Sequence, residues 1–366
     1  MSNSCPLCLS TLPATPSWMC ASGRCSAPPD AAPGVTGPIT SGPESGATSC
    51  RVCGGPVVEV CAVTTCHFML PRRWRDTAST HVVMAGARAS GKSVYLGVLV
   101  KQLELLGDLT GTRVAAATSR TAATYREDYE RPLFEQRGIL DPTRGQETTF
   151  GRLEPMIFEI TPQVGARHFL VVTDVAGEDM ERTPLDRTRL RAFAAADAIV
   201  LLYDPLSLPD VLAAVSGLVP EQRGTGDSWA VLSNVVDLVE SRAPKVAVAV
   251  SKFDVLHSAR SVPGVELGRI MQNPGAAFCR EPDKRGPYDE EDGLLLHEEI
   301  QSLLQWLGAA SLVNAMGRLT HAHNVEHRFF AVSALGDAPE GAFLHDRGIA
   351  PFRCLDPLRW VLRGRT

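Results

Sequence analysis

A short polar turn between two apolar runs carries the residues with the clearest chemical potential. Within "VVMAGARASGKSVYLGVLV", residues 82–100, the chain matches G-x-x-x-x-G-K-[ST] between a predicted strand and a predicted helix. Backbone N–H groups of such a turn surround phosphates, and the helix N-terminus adds a favourable dipole. Lys92 is predicted to bridge the β- and γ-phosphates in catalysis, and Ser93 to place its hydroxyl on Mg²⁺. The predicted phosphate-binding loop comprises Gly86, Ala89, Ser90, Gly91, Lys92, Ser93 and Val94.

A second acidic turn follows the apolar segment "HFLVVTD", which ends in Asp174 and leads to Gly177 in a D-x-x-G pattern. Asp174 can hold Mg²⁺ through a water, and the Gly177 N–H can meet a γ-phosphate oxygen and respond to its loss. The alternative is an ordinary strand end with a tight turn, since "AIVLLYD" also ends in an aspartate, Asp204.

Two later strand ends carry residues that can read a base. "VAVAVSKFDVL" presents Ser251, Lys252 and Asp254, and "FFAVSALG" presents a second set, Ser333, Ala334 and Leu335. In the order P-loop, D-x-x-G, [NT]-K-x-D and S-A-x, residues 80 to 340 resemble the Ras-like and translation-factor GTPases of the TRAFAC class.

The resemblance implies binding of GTP and GDP with Mg²⁺. It also implies that Asp254 accepts two hydrogen bonds from guanine, that Lys252 lies along the ring face, and that the Ala334 N–H meets O6. Two positions depart from the pattern: Ser251 stands where Asn or Thr ties the loop to the P-loop, and Glu178 stands where a glutamine orients water. We expect slow GTP hydrolysis, because a carboxylate near the γ-phosphate is repelled unless it is protonated or turned away.

The stretch between the first two motifs is long, with about 80 residues between Lys92 and Asp174. An expanded switch I explains this length, and we choose Thr143 over Thr148 and Thr149 as the threonine that closes over Mg²⁺ and the γ-phosphate. Arg88 and Arg182 are candidate arginine fingers in cis, with solvated side chains as the alternative.

Cysteines are concentrated before residue 70, where the spacing C-x2-C-x11-C-x4-C is followed by C-x2-C-x7-C-x4-C. Eight thiolates fit two tetrahedral Zn²⁺ sites, with ligands paired sequentially or interleaved. A disulfide framework is the rival interpretation, and the absence of a secretory signal argues against it. We therefore expect residues 1–70 to form two zinc-ribbon-like units of four cysteines each, joined by a Pro/Gly/Ser-rich linker, residues 26–49, with these ligands: Cys5, Cys8, Cys20, Cys25, Cys50, Cys53, Cys61 and Cys66.

From residue 78 to 366 apolar segments alternate with longer amphipathic ones, which predicts an α/β P-loop NTPase domain: a three-layer sandwich with a mostly parallel sheet. The predicted strands are "HVVMAG", "PMIFEI", "HFLVVTD", "AIVLLYD", "KVAVAVS" and "RFFAVS", and "LDPLRWVL" is a predicted closing helix. A net charge of -5 with a pI near 6.0 argues against nucleic acid as a partner. No apolar run is long enough to span a membrane, so we expect a cytoplasmic protein.

These features predict a Mg²⁺-dependent GTPase that acts as a regulatory switch and docks an effector or activator protein. "DVAGED", "LLYDP" and "VSALG" are also similar to bacterial double-GTPase proteins of conflict systems, which implies a partner GTPase. Two alternatives remain open: a scaffold that holds nucleotide with little turnover, and a zinc-ribbon, nucleic-acid-dependent ATPase that uses Asp204.

Overall fold

Two β-sheets organise the chain. A computed structural model describes residues 4–26, 35, 37–41, 49–140, 154–182, 184–187, 189–215, 226–239, 243–262, 264–337 and 343–364. A small antiparallel sheet has the order β2-β1-β3, and a seven-stranded sheet has the order β10-β9-β8-β4-β7-β6-β5. The strands are β1 (Ser17–Cys20), β2 (Ile39–Ser41), β3 (Val57–Val60), β4 (Ala78–Gly86), β5 (Arg113–Ala116), β6 (Met156–Thr161), β7 (His168–Asp174), β8 (Ala198–Tyr203), β9 (Lys245–Val250) and β10 (His327–Ala331).

The large sheet is mostly parallel, which confirms the predicted fold class. β4, β7, β8, β9 and β10 pair in parallel, whereas β6 pairs antiparallel with both β7 and β5. The six predicted strands all form, and the sequence reading missed only β5 among the strands of this sheet. Because carboxyl ends of parallel strands share one edge, the four predicted nucleotide-binding motifs meet there.

Helices cover the sheet on both faces, and β8 and β9 are accordingly buried along almost their whole length. α1 follows the P-loop, and α10 is the predicted closing helix. The helices are α1 (Lys92–Thr110), α2 (Ser119–Tyr125), α3 (Gly177–Glu181), α4 (Pro209–Ala214), α5 (Ser228–Val239), α6 (Phe253–Ser258), α7 (Glu266–Met271), α8 (Glu290–Trp306), α9 (Ala310–His323) and α10 (Asp356–Leu362), with a π-helix at Arg126–Glu135.

One part of the sheet is covered differently. Leu170 and Val172 of β7 face the main core, whereas Phe169 and Val171 face a second core built with cysteines and apolar residues from the first 74 residues. This alternation follows from the two-residue period of a strand. The N-terminal segment therefore forms a layer of the domain at β6 and β7. Of the helices in the described part of the chain, none combines the length and apolarity that crossing a membrane requires.

Candidate functional site

The glycine-rich turn after β4 has the backbone shape of a phosphate cradle. Gly86, Ala89 and Gly91 have φ values of 151°, 60° and 86°. A Cβ on Gly86 would lie 2.7 Å from both the Leu202 carbonyl oxygen and the Ser90 Oγ, so this close approach requires glycine. Ser90 Oγ is buried without a hydrogen-bond partner among the described residues. The turn therefore offers a buried hydroxyl and a tight concave backbone.

Lys92 begins α1 and folds back into this turn. Its Nζ donates to the Gly86 carbonyl at 2.7 Å and to the Ala87 carbonyl at 2.9 Å, and the side chain is buried. Burial lowers the pKa of Lys92, while the carboxylates of Asp174 and Glu181 oppose that shift. Among the described residues its hydrogen-bond acceptors are two backbone carbonyls, so a phosphate group would give this buried cation a strong charge-assisted partner.

The predicted magnesium ligands lie together. Ser93 Oγ donates to Asp174 Oδ2 at 3.0 Å, and the Tyr129 hydroxyl donates to the same oxygen at 3.3 Å. Neighbouring ligands of an octahedral Mg²⁺ with bonds of about 2.1 Å lie about 3.0 Å apart, so the hydroxyl and carboxylate fit this ion. Burial raises the pKa of Tyr129 well above its ordinary value, which keeps it a neutral donor. The sequence reading missed Tyr129, and Thr143 lies outside the described residues.

The D-x-x-G turn contacts the P-loop directly. A Cβ on Gly177 would lie 2.5 Å from the Arg88 backbone nitrogen, so the two backbones touch at this point. The Arg88 N–H donates to Glu181 Oε1 at 2.6 Å. Glu178 is exposed, with one oxygen 3.9 Å from the Arg88 guanidinium, while Arg182 pairs with Asp179 at 3.4 Å. The side chains of Glu178 and Arg182 are 62% and 57% exposed.

The loop after β9 makes contacts that differ from the expected ones. Lys252 has a φ of 49° and donates to Asp204 Oδ2 at 2.7 Å. Ser251 was expected to tie this loop to the P-loop, but its Oγ donates to the Tyr203 carbonyl at 3.3 Å. The Ser251 hydroxyl therefore anchors the loop to the end of β8.

Asp254 and Ser333 meet at this edge although they follow different strands. The Ser333 hydroxyl donates to Asp254 Oδ1 and accepts the Gly336 N–H at 2.9 Å. Burial raises the pKa of Asp254. Ala334 and Leu335 follow directly in the same half-buried turn. The two predicted base-reading loops are therefore joined by a hydroxyl–carboxylate bond.

A buried arginine that the sequence reading missed supports the second loop. Arg353 is fully buried and donates to Asp356 at 2.6 Å and Asp292 at 2.8 Å. Next to it, Cys354 Sγ donates to the Ser333 carbonyl at 3.0 Å, and the Tyr95 hydroxyl of α1 donates to the Cys354 carbonyl. The closing segment thus connects α1 with the turn that holds Ser333.

The cysteines form two interleaved clusters. We name Cys5, Cys8, Cys61 and Cys66 the inner cluster, and Cys20, Cys25, Cys50 and Cys53 the outer cluster. Pairs of sulfur atoms lie 3.7 and 3.5 Å apart in the inner cluster and 3.6 and 3.9 Å apart in the outer cluster. Tetrahedral Zn–S bonds of about 2.3 Å place sulfurs about 3.8 Å apart, so both clusters fit Zn²⁺. All eight thiols are free of disulfides.

The cysteine spacing allowed either sequential or interleaved pairing of the ligands, and the structure shows the interleaved pairing. Each cluster takes two cysteines from before residues 26–49 and two from after them, and not four from one side. The antiparallel pairing of β1 with β3 brings the two halves together.

Comparisons with known proteins place the chain in a family. No family model matches it. It is 46% identical over 334 residues to "Putative ESX-1 scaffolding and assembly protein SaeC" of Mycolicibacterium smegmatis, which covers 91% of this chain and 85% of that protein. The chain belongs to the SaeC family.

Solved structures similar to this SaeC-family chain are more distant. They include the GTP-bound Ski7 GTPase-like domain of S. cerevisiae, at 13% identity and a TM-score of 0.31, covering 70% of this chain and 43% of that one. Another is the Arl6 BBS3 small GTPase of Trypanosoma brucei with GppNp, at 10% identity and a TM-score of 0.32, covering 78% and 95%.

Proposed function

We propose that this SaeC-family protein binds GTP and GDP with Mg²⁺ and hydrolyses GTP slowly, so that its nucleotide state regulates protein partners. The observation that carries the proposal is the hydrogen bond between Ser93 and Asp174 beside the buried Lys92. These residues adjoin a tight turn in which position 86 has room for glycine only. A hydroxyl, a carboxylate and a lysine around a concave backbone are the groups that Mg²⁺-bound phosphates require.

Guanine selection is assigned to Asp254. Its carboxylate is aligned by Ser333 and buried beside Lys252, which leaves one oxygen free of that serine bond for a base edge. Guanine offers an N1–H and an exocyclic amine to such a carboxylate, and adenine offers no comparable pair of donors. The ATPase alternative uses Asp204 as its acidic residue. Asp204 already pairs with Lys252 of the loop after β9, and this pairing weakens that alternative.

We expect slow turnover because Glu178, which stands where related GTPases carry the glutamine that orients the attacking water, is exposed and lies near Arg88. A bound Mg²⁺ would neutralise charge on the β- and γ-phosphates, with Ser93 and the proposed Thr143 as direct ligands and Asp174 holding the ion through a water. Gly177 would donate its N–H to the γ-phosphate, and Lys92 would hold the β,γ-oxygens.

A second candidate function is a nucleotide-holding scaffold with little turnover. It is favoured by the exposed position of Glu178 and by the name of the M. smegmatis relative, which describes scaffolding and assembly. In either case we propose protein partners in an assembly of that kind and a cytoplasmic location. Single-turnover hydrolysis of bound GTP separates the two functions, since a scaffold keeps the bound GTP intact over hours.

The base assignment is tested by Asp254→Asn, which keeps the size and replaces one acceptor by a donor. The amide then faces the guanine amine donor to donor, at a cost of about 1–3 kcal/mol, whereas xanthine presents a carbonyl at that place. Dissociation constants for GTP and XTP at fixed Mg²⁺ should reverse in rank between parent and variant. Unchanged GTP affinity in Asp254→Asn would remove the main support for the proposal.

A further inference from the structure

The inner cluster lies within the hydrophobic core that covers the nucleotide-binding sheet. All four of its cysteines are buried, with exposures of 0 to 7%. Around them pack apolar residues from two sources, Leu7, Leu12, Leu70 and Trp74 from the N-terminal segment and Ile157, Phe169 and Val171 from β6 and β7. The cluster therefore occupies the place that a helix takes elsewhere on this sheet.

Further contacts join this layer to the strands that carry the site. The Trp74 ring stacks on Phe169 with centroids 5.4 Å apart, and its indole N–H donates to the Ser4 carbonyl at 2.9 Å. Arg191 donates to the Cys8 carbonyl, so the segment before β8 also contacts the cluster. Trp74 leads directly into β4, which ends at the P-loop, and Phe169 lies in β7, which ends at Asp174.

The outer cluster has a different environment. Among the described residues, its four cysteines belong to none of the hydrophobic cores, and the small core of Met19, Val35 and Val60 beside Cys20 includes no residue of the seven-stranded sheet. Cys25 and Cys53 are partly exposed, and the Ser22 hydroxyl lies 3.2 Å from the Cys53 sulfur. Loss of this cluster would loosen local turns without uncovering the large sheet.

We propose that the inner cluster is a Zn²⁺ site on which the nucleotide-binding sheet depends, and that the outer cluster is a Zn²⁺ site on which it does not. Four converging thiolates repel one another unless a cation neutralises them, and the cation joins the Cys5–Cys8 turn to the Cys61–Cys66 turn. Loss of the inner ion would release this layer and expose the apolar face of β7. Metal occupancy at the inner cluster therefore controls the position of Asp174 and the affinity for nucleotide.

The test uses the full chain and a matched pair of variants, Cys61→Ser in the inner cluster and Cys50→Ser in the outer cluster. The parent should contain about two Zn²⁺ per chain by elemental analysis, and each variant about one. Cys61→Ser should lower the melting temperature by about 10 °C, speed amide exchange in residues 168–174, and weaken GTP and GDP binding at least about tenfold. Cys50→Ser should leave exchange in residues 168–174 unchanged and nucleotide affinity within about twofold.

Two further arms keep the test decisive if Cys61→Ser does not fold. Cys61→His retains a zinc ligand and should keep both ions and most of the exchange protection. Chelation of the parent, followed by return of Zn²⁺, should remove and restore protection of residues 168–174. Equal effects of the two serine variants, iron in place of zinc, or loss of the inner ion without faster exchange in β7 would each overturn the proposal.

The nucleotide measurements rest on the proposed function, whereas metal content, melting and exchange do not. A parent that holds two Zn²⁺ and shows the expected exchange pattern but binds neither GTP nor GDP would refute the function alone. A parent that binds GTP while Cys61→Ser leaves the exchange of β7 unchanged would refute the coupling alone.

Discussion

Gly177→Ala probes the contact between the P-loop and the D-x-x-G turn, which are the two proposed phosphate-binding turns. In the structure a Cβ on Gly177 lies 2.5 Å from the Arg88 nitrogen and 2.8 Å from the Ala87 carbonyl carbon and the Arg88 Cα. These are backbone atoms, which cannot move away by a change of rotamer. Reaching an ordinary contact of about 3.4 Å requires the turns to separate by about 0.9 Å, and such overpacking costs about 1–3 kcal/mol of stability.

In the proposed function the same shift moves the Gly177 N–H away from the γ-phosphate. A hydrogen bond to a charged acceptor contributes about 1.5–3 kcal/mol, so GTP affinity should fall roughly ten- to a hundredfold. GDP lacks the γ-phosphate, and its affinity should fall less than about threefold. The ratio of the two dissociation constants therefore reports on Gly177 independently of general destabilisation.

The assay is calorimetric titration of GTP and GDP into parent, Gly177→Ala and a matched control, Gly317→Ala. Gly317 lies inside α9 with no atom within 4 Å of an added Cβ. The control should therefore keep both affinities and gain up to about 1 kcal/mol of stability from better helix propensity. If Gly177→Ala keeps the parent's ratio of the GTP and GDP dissociation constants, the proposed placement of the D-x-x-G turn against the γ-phosphate is refuted.

Other predictions concern the lysine, the acidic switch residue and pH. Lys92→Ala should abolish tight Mg·GTP binding while the chain stays folded, as measured by titration and circular dichroism; parental affinity would contradict the site. Glu178→Gln should not slow single-turnover hydrolysis, and slower turnover with intact binding would make Glu178 a general base. Burial lowers the pKa of His257 from 6.5 to about 4, so the unfolded chain takes up this proton first as pH falls. The melting temperature should therefore decline between pH 6.5 and 4, and the decline should be shallower in His257→Gln; equal slopes would contradict the assignment.

The meeting of the four motifs at one edge of the sheet was predictable because each motif is short and follows an apolar strand. Gly86, Asp174, Asp254 and Ser333 could be placed at one edge from parallel strand order alone. Their partners could not, because Tyr129 reaches Asp174 from a π-helix whose sequence carries no binding signature.

Features that depend on tertiary contacts could not be predicted from the sequence. β5 has four residues at the sheet edge and no strong alternation, so it resembles a connector. The repeat of cysteine spacing suggested two separate units, whereas strand pairing interleaves their halves. The division into residues 1–70 and 78–366, like the conflict-system resemblance, stays a prediction.

The most direct test of guanine-nucleotide binding is competition between GTP and ATP for the intact protein at fixed Mg²⁺ and about pH 7.5. The Ser333 hydroxyl donates to Asp254, and in the proposed function this carboxylate accepts two donors that guanine has and adenine lacks, so GTP should bind at least about a hundredfold more tightly. Equal affinities, tighter ATP binding, or no binding of either nucleotide would contradict the account.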